Sequence, residues 1–261
     1  MGRSVTISGV NLKVEEKGHG RPVLFLHPGE GLQADRPWFD ALAADHRVLA
    51  PHHPGFGGSA FPDWLGTVDD LAYLYLDLAA QLELENAVLA GACFGGWVAA
   101  EMAVRSTARF SGLLLTAPLG IKAGGVLDRD IVDMHAISRS EFMRLAWADP
   151  AKGEIDYTKL ADTELAGVAR GREALVVFGW KPYMHNPRLK RWLHRIDIPT
   201  HLIWGEQDCI VSTSYGESWQ AEIPNATIET IPRAGHYPHW EQPDRFASCV
   251  RAFTSRLESV M

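Results

Sequence analysis

The sequence predicts an α/β protein, a mostly parallel twisted sheet flanked by helices, and three observations carry that prediction. Short apolar runs alternate with longer amphipathic stretches, the pattern of successive strand–helix units. Gly, Pro or Asn lies close to the ends of most of the runs, where a strand has to stop. The alternation also breaks once, over residues 117–198, where helical segments follow one another without a convincing strand.

Taken in order, residues 4–14 read as an opening antiparallel pair. Strands follow at 23–26, 48–50, 87–90, 113–116, 201–204 and 227–231, each short and apolar enough to be buried in a sheet. Helical periodicity marks 67–84, 96–104, 214–223 and 244–257, each long enough to cover part of a sheet face. Within the interruption the expected helices are 128–137, 139–148, 156–168, 173–180 and 187–195. The domain reading is therefore a core of residues 1–118 and 197–261, with residues 119–196 inserted in it as a helical cap.

Composition narrows the function. A chain of 261 residues that is 46% hydrophobic buries a substantial core as one domain. The formal net charge of −7, with one short, interrupted basic cluster at 188–195, argues against nucleic acid and anionic membranes as partners. No stretch has signal-peptide or membrane-spanning character, so the expectation is a cytoplasmic protein with no membrane partner. Gly2 with Thr6 fits a minimal myristoylation pattern, but no polybasic patch follows to supply a second anchor. Three unclustered cysteines, Cys93, Cys209 and Cys249, argue against a disulfide framework and against zinc. No phosphate-cradling glycine loop has the required spacing, and the expectation is neither an organic cofactor nor a metal. The expected partner is a small-molecule substrate, and a homodimer is compatible with the sequence.

The sharpest chemical signal is Gly91-Ala92-Cys93-Phe94-Gly95-Gly96, between an apolar strand and an Ala-rich helix. A sharp strand-to-helix turn forces its central residue into a strained conformation, and small flanking residues keep the turn free of collisions. The helix that follows directs its positive end at the sulfur, favouring thiolate and a developing oxyanion. Alone, such a string is weak, since a buried cysteine is often inert packing. Four further motifs come in order after strands: His27-Pro28-Gly29-Glu30-Gly31, His52-His53-Pro54-Gly55-Phe56-Gly57-Gly58-Ser59, Trp204-Gly205-Glu206-Gln207-Asp208, and Ala234-Gly235-His236-Tyr237-Pro238-His239.

With those motifs the chain resembles the α/β-hydrolase superfamily of the cap-bearing type, over nearly its whole length apart from the cap. The resemblance implies that Cys93 is the nucleophile, Asp208 the acid after a late strand and His236 the base on the final loop. His239 is a rival base and Glu206 a rival acid; Gly235 before His236 and the Gly-x-x-Asp register favour the first assignment. The implied oxyanion hole joins the amide of Phe94 to one from the loop after His27. Pro28 has no N–H, which leaves Gly29 first and Glu30 second. Cysteine in place of serine, Pro28 in place of a glycine and His52 in place of an aspartate depart from the family pattern. His27 and, in the cap, Trp147, Trp180, Tyr183, Met184 and His185 are candidates for substrate contact, each equally readable as core.

A cysteine beside an imidazole and a helix N-terminus can rest as an ion pair, which eases attack and makes thioester hydrolysis the slow step. Dienelactone hydrolases are similar in using cysteine on this fold. The leading expectation is therefore hydrolysis of a small carboxylic ester, thioester or lactone through an acyl-enzyme. The alternatives are C–C hydrolysis of a dicarbonyl ring-cleavage product, a low-turnover binding or sensing protein on the same fold, and an engineered serine-to-cysteine variant. A carboxylate nucleophile would have meant dehalogenase or epoxide-hydrolase chemistry, and Cys93 argues against both.

Overall fold

The computed structural model describes residues 2–33, 36–125 and 127–258. Eight strands form one sheet: β1 (Gly2–Ile7), β2 (Val10–Lys17), β3 (Pro22–Leu26), β4 (Arg47–Pro51), β5 (Ala87–Ala92), β6 (Phe110–Thr116), β7 (Thr200–Gly205) and β8 (Ala226–Ile231). Their order is β1-β2-β4-β3-β5-β6-β7-β8. The first two are antiparallel, β2 meets β4 antiparallel, and every later pairing is parallel. β5 and β7 are buried along their whole length, which is why they read as unbroken apolar runs. β1 and β8 are the edges and are half-exposed, so their apolar residues alternate with polar ones.

Parallel strands end at one edge of a sheet, and the strand order reverses at β3, which has β4 on one side and β5 on the other. The loops after β3 and β5 therefore open into a common crevice at that edge, the place where α/β sheets bind ligands. The loops after β7 and β8 open along the same edge.

Among the described residues eight α-helices surround the sheet: α1 (Pro37–Ala43), α2 (Val68–Gln81), α3 (Phe94–Arg105), α4 (Arg139–Ala146), α5 (Asp162–Gly179), α6 (Thr213–Glu222), α7 (Pro238–Glu241) and α8 (Pro243–Glu258). α1 packs with α8 and α7, and α2 packs with α3. The start of α2 is fixed locally: the Thr67 hydroxyl accepts the Asp70 amide at 3.1 Å and Asp70 accepts the Thr67 amide at 3.0 Å, a reciprocal cap. α1 and the four-residue α7 were not foreseen, being too short for periodicity to mark.

Between β6 and β7 the chain forms no strand among the described residues. α4 begins where the Ser138 hydroxyl accepts the Glu141 amide. α5 joins two expected helices, 156–168 and 173–180, into one, preceded by a 3₁₀ turn at Tyr157–Lys159. The expected helix at 187–195 is a 3₁₀ turn, Leu189–Arg195. The expected helix at 128–137 does not form. Asp130 accepts the amides of Ala123 and Gly124, Asp128 that of Gly125 and Asp133 those of His135 and Ala136, so the side chains cap local turns in competition with a helical ladder. The Val132 amide goes instead to the carbonyl of Ile210, tying the segment to the core.

α5 lies against the sheet-edge loops, and glycines make the approach close enough. A Cβ on Gly29 would fall 2.7 Å from Leu175, one on Gly55 2.6 Å from Ala174, and one on Gly171 2.8 Å from Phe56. Phe178 of the same helix stacks on Phe94 at 6.0 Å between ring centroids.

Histidines buried in the core couple the fold to pH. Burial holds His53 and His239 down to about 3, and lowers His27, His46 and His201 too. Such groups stay neutral in the folded chain while their unfolded counterparts take protons below the usual histidine pKa of ~6.5. The stability present above that pH is therefore lost as pH falls toward 3. Urea midpoints should decline steadily from pH 7 to pH 4. His239→Phe should flatten that slope by about one proton, ~1.4 kcal/mol per pH unit; an unchanged slope would mean that His239 is protonated in the fold.

Candidate active site

Cys93 occupies the turn from β5 into α3 with φ 51° and ψ −116°, a left-handed conformation that a side chain rarely adopts. The neighbours leave no room for anything but glycine. A Cβ on Gly91 would lie 2.3 Å from the Gly95 carbonyl oxygen, and one on Gly95 2.1 Å from that of Leu26. The Cys93 amide donates to Thr116 O at 2.9 Å, and its carbonyl accepts the amides of Trp97 and Leu119. The turn is thus bonded on both sides, and its strain is maintained by the sheet and α3 together.

Asp208 and His236 meet beside it. Asp208 Oδ1 accepts the amides of Ile210 at 2.9 Å and Val211 at 3.1 Å, while Oδ2 lies 2.8 Å from His236 Nδ1. Two backbone donors on one oxygen fix the carboxylate, and the other oxygen fixes the imidazole tautomer with Nδ1–H toward it. The second ring nitrogen, Nε2, is buried without a hydrogen-bond partner among the described residues. The Cys93 sulfur nevertheless lies close enough to act on the ring. Burial opposes charge on His236, but Asp208 and then Cys93 outweigh it and hold its pKa well above the usual histidine range. Cys93 is 2% exposed and His236 1%.

The loops carrying this pair are pinned by the insertion. The carbonyls of Leu145 and Ala146, at the end of α4, accept the amides of Cys209 at 3.1 Å and His236 at 2.7 Å. Glu241, buried in α7, accepts the Gly235 amide at 2.6 Å and the Asp149 amide at 3.0 Å, bridging the histidine loop to the insertion. A Cβ on Gly235 would fall 2.4 Å from Ala146 O, so glycine is required there. None of these partners had a sequence signal, because each joins positions remote in the chain.

The loop after β3 brings Gly29 to the crevice. The amides of Gly29 and of Phe94, the first residue of α3, donate to no acceptor among the described residues. They are the pair expected to hold an oxyanion. The Glu30 amide acts on its own carboxyl instead, which favours Gly29 over Glu30.

The rival groups are placed differently. Glu206 is exposed. His239 is buried among Phe25, Trp38, Trp240 and Phe246, with both ring nitrogens unpartnered. His27 is buried. Its Nε2 accepts the His53 amide at 2.9 Å, tying the loops after β3 and β4 together, and its Nδ1 lies 2.7 Å from Pro28 O within its own loop. His53 in turn bonds His27 O and the Tyr75 hydroxyl.

The residues considered for substrate contact in the segment between β6 and β7 separate into four groups. Trp147 packs on Tyr237 at 5.0 Å and stacks on Trp240 at 5.7 Å, beside the histidine loop. Tyr183 and His185 line a cleft of about 250 Å³ with Ile121, Lys122 and residues 128–131 and 133, and the field of Cys93 reaches Tyr183. Trp180 is 58% exposed and meets His135, which places it outside the crevice. Met184 is buried against Gly179. Cys209 is exposed and Cys249 buried beside Glu229. Among the described residues no group of three or more His, Cys, Asp or Glu side chains is placed to hold a metal, and no helix is long and apolar enough to cross a membrane.

Residues 23–248 match the Alpha/beta hydrolase family, and the chain belongs to it. It is an enzyme of that family. Among its relatives is a 2-hydroxymuconate semialdehyde hydrolase of Pseudomonas sp. (strain CF600), 26% identical over 99% of this chain and 95% of the relative. The dihydrolipoyllysine-residue acetyltransferase component of an acetoin cleaving system from Pseudomonas putida is 28% identical, over 90% of this chain but only 63% of that protein's own length. Among solved structures, a meta-cleavage product hydrolase from Pseudomonas fluorescens IP01 superposes with a TM-score of 0.78 at 23% identity, over 98% of both chains. An esterase from Rhodococcus sp. ECU1013 does so with a TM-score of 0.78 at 24% identity, over 98% of this chain and 99% of the esterase. At that identity these two likenesses speak for the fold.

Asp208→Asn keeps an acceptor for the Ile210 and Val211 amides but can present an amide N–H to His236 Nδ1, which disfavours the tautomer needed at Nε2. Alkylation of Cys93 by iodoacetamide at neutral pH should slow by about tenfold or more, with the circular dichroism unchanged. An unaltered rate would show that Asp208 does not set the state of the cysteine–histidine pair.

Proposed function

We propose that the chain hydrolyses a small carboxylic ester, thioester or lactone through an acyl-cysteine intermediate, with Cys93, His236 and Asp208 as its triad. The observation that carries the reading is a strained cysteine at the strand-to-helix turn, within the field of a histidine that a buried carboxylate holds. In the acylation step the Cys93 thiolate adds to the substrate carbonyl carbon. The oxyanion forms between the amides of Gly29 and Phe94, two donors without an acceptor among the described residues. As the tetrahedral intermediate collapses, the leaving group takes its proton from the His236 imidazolium. In the second step the now neutral imidazole takes a proton from water, the hydroxide adds to the thioester, and the expelled thiolate again faces an imidazolium. Residues 119–196 act in this reading as a cap, with Trp147, Tyr183 and His185 as its candidates for substrate contact.

The cysteine favours carbonyls with good leaving groups. A thiolate is nucleophilic at neutral pH without prior deprotonation, whereas the thioester it forms must still be cleaved by water. Acylation needs the ion pair and deacylation needs neutral His236. Deacylation should therefore fail first as pH falls, leaving acyl-enzyme to accumulate at acid pH.

A second reading, hydrolysis of a C–C bond in a dicarbonyl compound, is favoured by the relative named for 2-hydroxymuconate semialdehyde. Two assays separate them. With a short-chain nitrophenyl ester the protein should turn over repeatedly, and Cys93→Ala should lose at least about a thousandfold in rate. With a coloured ring-cleavage dienol it should bleach slowly or not at all. Equal ester rates from both proteins would remove Cys93 from the mechanism, and rapid bleaching with no ester turnover would favour the C–C reading.

A further inference from the structure

Among the buried acids outside the triad, Glu241 has bonds that lead straight to the histidine. It is 2% exposed, and both oxygens of its carboxylate go to backbone amides, Oε2 to Gly235 at 2.6 Å and Oε1 to Asp149 at 3.0 Å. Lys152, in the 3₁₀ turn Pro150–Gly153, donates to the Glu241 main-chain oxygen at 2.8 Å and leaves the carboxylate to those amides. For packing alone an apolar side chain of this size would serve without the loss of hydration that a carboxylate suffers. The bonds are what distinguish a carboxylate here, and they fix the backbone at the base. Gly235 directly precedes His236, and the amides of both are held, that of Gly235 by Glu241 and that of His236 by the carbonyl of Ala146 at 2.7 Å. The carbonyl of Ala234 accepts the Gln207 amide at 2.9 Å, next to Asp208. Three successive residues are thus bonded, and among these partners only Glu241 uses a side chain. Its second oxygen holds Asp149, so both ties on the histidine backbone end in residues 146–149.

We propose that Glu241 is a positioning residue for the reaction: by holding the Gly235 and Asp149 amides at once, its carboxylate sets the place of the His236 imidazole against Cys93 and the attacking water. This rests on the hydrolase reading for the step it serves and adds to it a residue outside the triad. Asp208 fixes the tautomer and tilt of the ring through Nδ1, but the backbone from which the ring hangs is fixed by Glu241 and Ala146. A general base has to meet its proton within hydrogen-bond reach, and a displacement of about 1 Å caused far from the chemistry costs on the order of a hundredfold. Deacylation is the step most exposed to such a shift, because there the imidazole takes its proton from water. Glu241→Gln keeps the volume of the side chain but leaves one oxygen for two amides, so one of the two ties opens.

An activated nitrophenyl ester separates position from folding. The initial burst of nitrophenol counts competent chains, and the steady rate after it reports deacylation. Glu241→Gln should keep the parent's burst amplitude and lose about tenfold or more in steady rate, with KM unchanged or lowered. Glu241→Asp retains the charge but draws the oxygens back by one methylene, and its steady rate should fall in the same sense, which keeps the test decisive where the Gln variant fails to fold. Lys152→Ala removes a bond to the same short helix without touching the carboxylate, and it should match the parent. A steady rate within about twofold of the parent in a folded Glu241 variant, a smaller burst with the rate per competent chain unchanged, or an equal loss in Lys152→Ala would each overturn the proposal. Alkylation of Cys93 by iodoacetamide needs no turnover, and Glu241→Gln should slow it by about threefold or more. Slowed alkylation in that variant, with no ester turnover in any protein, the parent included, would sink the hydrolase reading and spare the positioning of His236.

Discussion

The backbone at Cys93 is the constraint from which the rest follows. A cysteine at φ 51° is tolerable only because β5 delivers it, α3 carries it away, and Gly91 and Gly95 let the two segments touch. That geometry lifts the sulfur out of the sheet toward the loops after β3, β7 and β8, and leaves the Phe94 amide free at the helix start. Relax the turn and the placement of the Cys93 sulfur, the free Phe94 amide and the approach of His236 are lost together.

Around that turn the segment between β6 and β7 works as part of the frame. The end of α4 accepts the amides of Cys209 and His236, and Glu241 ties Gly235 to Asp149. The two loops that carry Asp208 and His236 are thereby fixed to the same segment, and a shift in that segment has to move both residues in concert. α5, pressed on Gly29 and Gly55, couples the loops after β3 and β4 to it as well.

Much of this was legible in the sequence for a local reason. The sheet strands are apolar on both faces, the elbow needs glycines at fixed offsets, and the acid and base follow strands in a fixed order, so each leaves a pattern within a few residues. What was not legible is either non-local or a contest between local forces. The expected helix at 128–137 lost to Asp128, Asp130 and Asp133, whose side chains accept the amides of Ala123, Gly124, Gly125, His135 and Ala136 in local turns. That His27 takes the His53 amide from another loop leaves no mark in its own sequence neighbourhood. Nothing in the sequence around Glu241 reveals that its carboxylate meets Asp149, 92 residues away. Ala146 contributes only a carbonyl, which no sequence pattern marks.

The most direct measurement of the central claim is the mass of the protein quenched at acid pH during turnover of an activated ester, followed by peptide mapping. The account predicts one acyl group per chain, carried on the peptide that contains Cys93 and absent from Cys93→Ala. An acyl group on any other side chain, or steady turnover that passes through no covalent adduct at Cys93, would contradict it.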